Sequence, residues 1–226
     1  LIDDLTSKFL EEFQPSHDRK KVAGYPHYFL GAIIVSKKDS ANYVVDGQQR
    51  LTSLSLLLIL LRNLQRGRSD AVNLDELIVS EKYGQKSFNL DVDERNPCME
   101  ALFEAQTFDP TARSESVQNL VARYDDMQDA WPEELCGDAL PFFADWLLEN
   151  VHLVEITAYS DDDAYTIFET MNDRGLSLSP TDMLKGYLLA NIDEEKRIGA
   201  NARWRERIAE LNAAGKEVEA DCFKAW

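Results

Sequence analysis

Five consecutive residues, Asp46-Gly47-Gln48-Gln49-Arg50, stand where a β-branched run, Asn42 to Val45, gives way to a leucine-rich helical pattern. Free backbone N–H groups at a helix N-terminus favour an anion. Gly47 lets the backbone approach closely, Arg50 can grip a phosphate through two parallel hydrogen bonds, and Asp46 can position a metal ion or a water. Together these are the parts that binding a triphosphate requires. The same stretch also has a plainer reading, in which Asp46 caps the helix, Gly47 makes the turn, and Gln48, Gln49 and Arg50 form a solvated first turn.

A second constellation runs from Phe168 through Glu169-Thr170-Met171-Asn172-Asp173-Arg174-Gly175 to Leu178-Ser179-Pro180-Thr181-Asp182 and Lys185. A helix end carrying Asn172 and Arg174, a short turn, and a new helix offering Asp182 and Lys185 at i, i+3 would gather mixed charge at one concave corner able to hold a polar ligand. The alternative is two cap motifs and a surface pair worth a few tenths of a kcal/mol. The other candidates carry less. His17, His27 and His152 are isolated in sequence and read as surface or satisfied histidines. The acidic runs Asp161 to Asp163 and Asp193 to Glu195 suit helix N-termini better than a metal site. The chain has no Walker A, GxSxG, HExxH or clustered His-Asn-His pattern.

The elements that must position these residues follow from periodicity. Ile2, Leu5, Phe9, Leu10 and Phe13 form one helical face ending before Pro15. Tyr28 to Val35 and Asn42 to Val45, separated by Lys37-Lys38-Asp39-Ser40, predict a β-hairpin. From Gln48 the period becomes 3.6, with Leu51, Leu54, Leu58, Leu61 and Leu64 continuing to about Gly67 in a helix buried nearly all round. Ser87 to Val92 reads as a strand, Val117 to Trp131 and Leu140 to Leu148 as helices, and Val151 to Thr157 as a strand. Ser160 is an N-cap followed by an acidic first turn, and Ser179-Pro180 opens a further helix through Met183, Leu184, Tyr187 and Leu188.

Composition bounds the function. The 226 residues suggest one domain with an appendage or two small ones, and 44% hydrophobic residues with 22 aromatics supply a core. A net charge of −17 disfavours a chain whose main task is to cling to nucleic acid or an anionic membrane. Residues 1–68 nevertheless carry ten Lys+Arg against seven Asp+Glu, whereas residues 69–226 carry 14 against 34, so any phosphate handling belongs electrostatically in the first third. Cys98, Cys136 and Cys222 have no zinc or disulfide spacing, which fits a reduced, cytoplasmic setting. The longest uncharged apolar run, Leu51 to Leu61, is eleven residues against roughly 20 for a membrane span. Opening at Leu1 and ending at Trp226 within a helical pattern, the chain reads as an excised fragment.

The blocks Tyr28-Phe29-Leu30-Gly31, Val44-Val45-Asp46-Gly47-Gln48-Gln49-Arg50-Leu51-Thr52-Ser53-Leu54, Phe168 to Gly175, and Leu178-Ser179 with Asp182 and Lys185 closely resemble, in order, those of the DUF262 family. This is the N-terminal domain of GmrSD-type modification-dependent restriction proteins. The resemblance spans about Asp4 to Leu188. It implies an α+β fold, in which a small ParB/sulfiredoxin-like mixed sheet with a buried motif helix (residues 1–95) is extended by a largely helical subdomain (residues 96–226) that completes the site.

The resemblance further implies nucleoside-triphosphate binding and hydrolysis with a divalent cation, Mg2+ foremost, in bacterial phage defence. The NTP step would regulate a separate HNH-type nuclease domain acting on modified DNA, with DNA reached through the full-length protein and homo-oligomers possible. By motif position Asp46, Gln48, Gln49 and Arg50 are the expected catalytic residues, and Gly47, Thr52, Asn172, Arg174, Asp182 and Lys185 the expected nucleotide-binding ones. A non-catalytic sensor of nucleotide or modified DNA is the competing expectation. The chain departs from the family pattern in lacking the Tyr- and Arg-containing segment ahead of the first helix, and the nuclease.

Overall fold

The computed structural model describes residues 1–38, 41–82 and 84–160, together with residues 163, 164, 167, 192, 196, 199, 200, 203, 204, 206–208 and 210. The described elements are six α-helices and five strands in an α+β arrangement. In chain order they are α1 (Ile2–Leu10), β1 (Tyr28–Lys38), β2 (Ala41–Asp46), α2 (Gln48–Leu64), α3 (Asp75–Ile78), β3 (Val79–Lys82), β4 (Gln85–Phe88), α4 (Asn96–Phe103), α5 (Glu115–Asp129), α6 (Ala139–Asn150) and β5 (Val151–Ala158). Short 3-10 turns stand at Arg19–Gly24 and Glu133–Leu135. Three strands form a sheet in the order β2-β1-β5, and β3 pairs with β4 alone. The chain divides into two compact units, residues 1–32 with 47–154, and residues 33–46 with 155–226.

The first unit is built on α2. With no Gly or Pro between Gln48 and Leu64 and leucine at most apolar positions, the segment has high helix propensity and nothing to break it. Its middle turns are buried on most sides by Leu56, Leu57, Ile59, Leu60 and Leu61, and it packs against α3, α4 and α5. Of the expected stripe Leu61 is fully buried, whereas Leu51, Leu54 and Leu58 are half-buried and Leu64 is 37% exposed. The helix end is tied down by Arg62, which bonds Asp75 at 2.6 Å and stacks 3.7 Å above the Phe103 ring, and by Asn63, which donates to the Leu102 carbonyl at 2.8 Å.

α1 and α6 close the other side of this core through aromatic rings. Phe9 stacks on Phe13 at 5.3 Å, meets Phe143 edge-on at 5.3 Å and lies tilted against Trp146 at 5.9 Å, the edge-on geometry being one that ring quadrupoles favour. The polar tips then fix the path into the sheet. The Trp146 indole donates to the Pro26 carbonyl at 3.0 Å, the Asn150 amide to the Tyr25 carbonyl at 2.8 Å, and Arg19 pairs with Asp145 at 2.7 Å. The start of β1 is thus pinned to the helix from which β5 emerges. His27 and His152, 125 residues apart, share a 2.8 Å hydrogen bond, and His17 lies 2.7 Å from the Tyr25 hydroxyl eight residues on, so these histidines are satisfied as expected.

In the second unit β1 and β2 form the expected antiparallel hairpin, with Ile34 opposite Asp46 and Lys38 opposite Ala41 and a register shift between Ile34 and Val35. Ile34, Ala158 and Ala164 form a small core with Ile167 against it. The Ser160 cap is present: its hydroxyl accepts the Asp163 N–H at 3.0 Å, and its carbonyl accepts the Ala164 N–H. Two elements of the middle differ from expectation. The strand expected over Ser87 to Val92 is Gln85–Phe88, paired with a polar partner, Val79–Lys82, whose four residues are too few to show alternation. The eight-residue α4 begins at Asn96-Pro97, where Pro at the first turn is its sole sequence signal.

Leu60→Ala should lower unfolding free energy by about 2 to 5 kcal/mol, since the side chain is removed from a fully packed interior. Urea unfolding measures it; an unchanged midpoint would mean that this turn of α2 is not enclosed.

Candidate functional site

The helix start at the DGQQR block is held open by its glycine. Gly47 is the N-cap, at φ 89° and ψ 9°, a left-handed conformation that costs a side-chain-bearing residue about 1 kcal/mol or more. No side chain caps α2, and Leu51 N–H to the Gly47 carbonyl, at 2.9 Å, is its first backbone bond. The plain reading in which Asp46 caps this helix is therefore not what is found. Asp46 ends β2 one residue earlier. Gln48 and Gln49 are exposed.

Arg50 is not a solvated first-turn residue either. It is half-buried, and its Nη1 donates to the Ala32 carbonyl of β1. Beside that bond lies Gly31, at φ 116°, where an added Cβ would stand 3.0 Å from the guanidinium carbon and 3.1 and 3.2 Å from Nη2 and Nε. Three guanidinium atoms at nearly equal, sub-van-der-Waals range mean that the plane lies flat on the space a side chain would fill. The two sequence blocks ending in Gly31 and Arg50 are thus one physical unit: the first is glycine so that the second can lie on it. Among the described residues Arg50 has no carboxylate partner, whereas Arg19, Arg62, Arg66, Arg68 and Arg123 all have one. A guanidinium carries five N–H donors, so the bond to Ala32 leaves donors for an anion.

Thr52, half-buried on the second turn, accepts a long 3.4 Å contact from Nη1 of Arg95, whose Nε donates to the Ser116 hydroxyl at 2.8 Å. Sequence reasoning missed Arg95 and Ser116, since neither belongs to a recognisable spacing and 43 residues separate Arg95 from Thr52. Asn172, Arg174, Asp182 and Lys185 lie outside the described residues. Among the described residues no group of three or more His, Cys, Asp or Glu is disposed around a metal position.

A cavity of about 390 Å3 lined by Asn63, Phe108, Tyr124, Asp125 and Gln128 opens elsewhere. Asn63 is eleven residues beyond Thr52, about 16 Å further along the axis of α2 at 1.5 Å per residue, so the cavity belongs to the opposite end of the helix. Burial there pushes the Tyr124 hydroxyl up from its ordinary value. Cys98, next to this core on α4, is fully buried, and burial pushes its thiol up to about 11.

A family model described as the GmrSD restriction endonuclease, N-terminal domain, matches residues 1–189. None of the curated proteins matches the chain.

Gly31→Ala should destabilise the fold by about 1 to 3 kcal/mol, from positive-φ strain and from the clash with the guanidinium. In an Arg50→Ala background the same substitution should cost less, because the clash is gone; equal costs in a urea double-mutant cycle would contradict the seating of Arg50 on Gly31. At pH 8 a thiol reagent should label exposed Cys136 quickly and Cys98 only on unfolding, because a thiol held near 11 carries almost no thiolate. Peptide mapping that found Cys98 labelled as fast as Cys136 would refute its burial.

Proposed function

Since the chain belongs to the family of GmrSD restriction endonuclease N-terminal domains, we propose that it is the regulatory domain of a bacterial modification-dependent restriction protein, and that it binds and hydrolyses nucleoside triphosphate. The observation that carries this reading is the start of α2: an uncapped helix N-terminus behind a left-handed glycine, with a guanidinium immobilised beside it and no carboxylate to neutralise it among the described residues. A helix N-terminus and a preorganised Arg stabilise negative charge on a phosphoryl group, and holding the Arg in place beforehand spares reorganisation during the reaction.

In this reading the first-turn backbone and Arg50 hold the phosphates, Gly47 admits them, and Gln48 or Gln49 orients the attacking water. Mg2+ is bound through one or two carboxylates plus substrate phosphates rather than by an all-protein cage, which agrees with a block that offers a single carboxylate, Asp46. Held by Asp46, the cation would offset the negative charge of the phosphates. Asp46, Asn172, Arg174, Asp182 and Lys185 enter through the family pattern alone. The nucleotide step would govern an HNH-type nuclease domain, in the same full-length chain or a separate one, that reaches DNA. The cytoplasm is the proposed compartment, homo-oligomers are compatible with the reading, and no described helix is long and apolar enough to cross a membrane.

One observation favours a slower or purely sensing version of the site. Gln48 and Gln49 have no titratable group, so they can orient a water but cannot take its proton. A sensor would bind nucleotide and signal to its partner domain without turnover.

Phosphate release measured with each of the four NTPs, with and without modified DNA, separates the versions: steady release supports hydrolysis, and saturable binding without release supports sensing. Arg50→Ala should weaken NTP binding about tenfold or more, because a charge-assisted hydrogen-bond pair is lost. It should also cost about 1 to 3 kcal/mol of stability, because the Ala32 carbonyl loses its donor, so binding is read below the variant's melting range. NTP affinity equal to the parent's would refute the site.

A further inference from the structure

Arg50 and Thr52 are two residues apart on α2, about 200° around the axis at 3.6 residues per turn, so the helix presents them on opposite sides. Gln48 and Gln49, in contrast, stand at i−4 and i−3 to Thr52, one turn above it on the same face. The guanidinium that contacts this glutamine-bearing face is that of Arg95, through Thr52, while the guanidinium of the motif itself is laid on β1.

The surroundings of Arg95 have the chemistry of an anion site. Its Nε donates to Ser116 at 2.8 Å and its Nη1 to Thr52 at 3.4 Å, both neutral hydroxyls. Among the described residues no carboxylate lies within ion-pair range of it, although Glu94 and Glu115 are close in sequence, both exposed. A half-buried positive charge is thus satisfied in hydrogen bonds but not in charge. Each hydroxyl, having accepted from the arginine, keeps its own O–H to donate. Ser116 stands in the first turn of α5, a 15-residue helix that opens at Ser114 without a side-chain cap. The start of α2, also uncapped by a side chain, is about 6 Å along the axis from Thr52. Two helix N-termini, two hydroxyl donors and one unneutralised guanidinium favour the same ligand charge.

We propose that Arg95, with Thr52 and Ser116, forms a phosphate-binding subsite on the Gln48 and Gln49 face of α2, and that it receives one phosphate group of the nucleotide. The subsite rests on the nucleotide reading for the identity of its ligand, and on the Arg95 cluster alone for its preference for a polyanion. It divides labour between two arginines. Arg50 fixes the helix start against the first residues of β1 and lends its remaining donors, and Arg95 supplies the charge on the side where the glutamines stand.

The test is calorimetric titration of the 226-residue chain with inorganic tripolyphosphate and, separately, with a non-hydrolysable NTP, in the parent, Arg95→Ala, Arg95→Lys, Ser116→Ala and Arg50→Ala. Circular dichroism and melting establish folding. Arg95→Ala should weaken both ligands about tenfold or more, Arg95→Lys should recover part of the loss because charge returns without the planar fork, and Ser116→Ala should weaken both several-fold. Should Arg95→Ala not fold, Ser116→Ala and Thr52→Val carry the test, each removing one hydroxyl donor. Full affinity in the Arg95 and hydroxyl variants, with loss in Arg50→Ala, overturns the subsite and leaves the nucleotide reading standing. Binding of tripolyphosphate but not NTP, lost in Arg95→Ala, keeps the subsite and overturns the nucleotide reading. A parent chain that binds neither anion overturns both.

Discussion

Much of this molecule depends on one contact, the flat seating of the Arg50 guanidinium on Gly31 with a hydrogen bond to the Ala32 carbonyl. It couples a helix start to a strand, and only if residue 31 has no side chain. The far end of the same helix is fastened by Arg62 and Asn63, and its middle is enclosed by leucine and isoleucine, so α2 is fixed along its length. Its N-terminus, by contrast, has no side-chain cap. Packing holds that end in place, and the absence of a cap keeps it open to a ligand.

The strand side of the contact is fixed by a second set of interactions. Phe9, Phe143 and Trp146 bring α1 and α6 together, and Trp146 and Asn150 bond the two carbonyls just ahead of β1. Gly31 comes only five residues after Pro26, the last carbonyl so bound, and an extended stretch that short leaves little room for drift. An aromatic core distant from the motif in sequence therefore sets where Gly31 is, and through it where Arg50 lies.

Where a single chemical rule governed a long segment, the sequence was readable. The leucine-rich helix, the hairpin before it, α5, α6, β5 and the Ser160 cap all followed from period and cap residues. The four-residue strands β3 and β4 and the short α3 and α4 did not, because they span too few residues to establish a period and owe their form to partners: β3 and β4 pair with each other, and α3 and α4 pack against α2. The site divided in the same way. Gly47 at a helix start was legible as a turn glycine, and Arg50 as a phosphate ligand or a surface residue, but its place on Gly31 was legible as neither. That contact joins residues 19 apart whose types only make sense together. Arg95 was invisible for the same reason, since its partners lie on two other helices and no local pattern marks it. Asn172, Arg174, Asp182 and Lys185 lie outside the described residues.

In the proposed site, nucleotide phosphates meet the chain at the start of α2. Amide hydrogen exchange followed by mass spectrometry, with and without a non-hydrolysable NTP and Mg2+, tests it most directly, since a ligand accepting first-turn N–H groups slows their exchange. Ligand-dependent protection is expected in the peptide spanning residues 47–52 and in those reporting on Arg95 and Ser116, with the aromatic core unchanged. Saturating nucleotide that leaves residues 47–52 exchanging at the free rate, with protection elsewhere or nowhere, would contradict it.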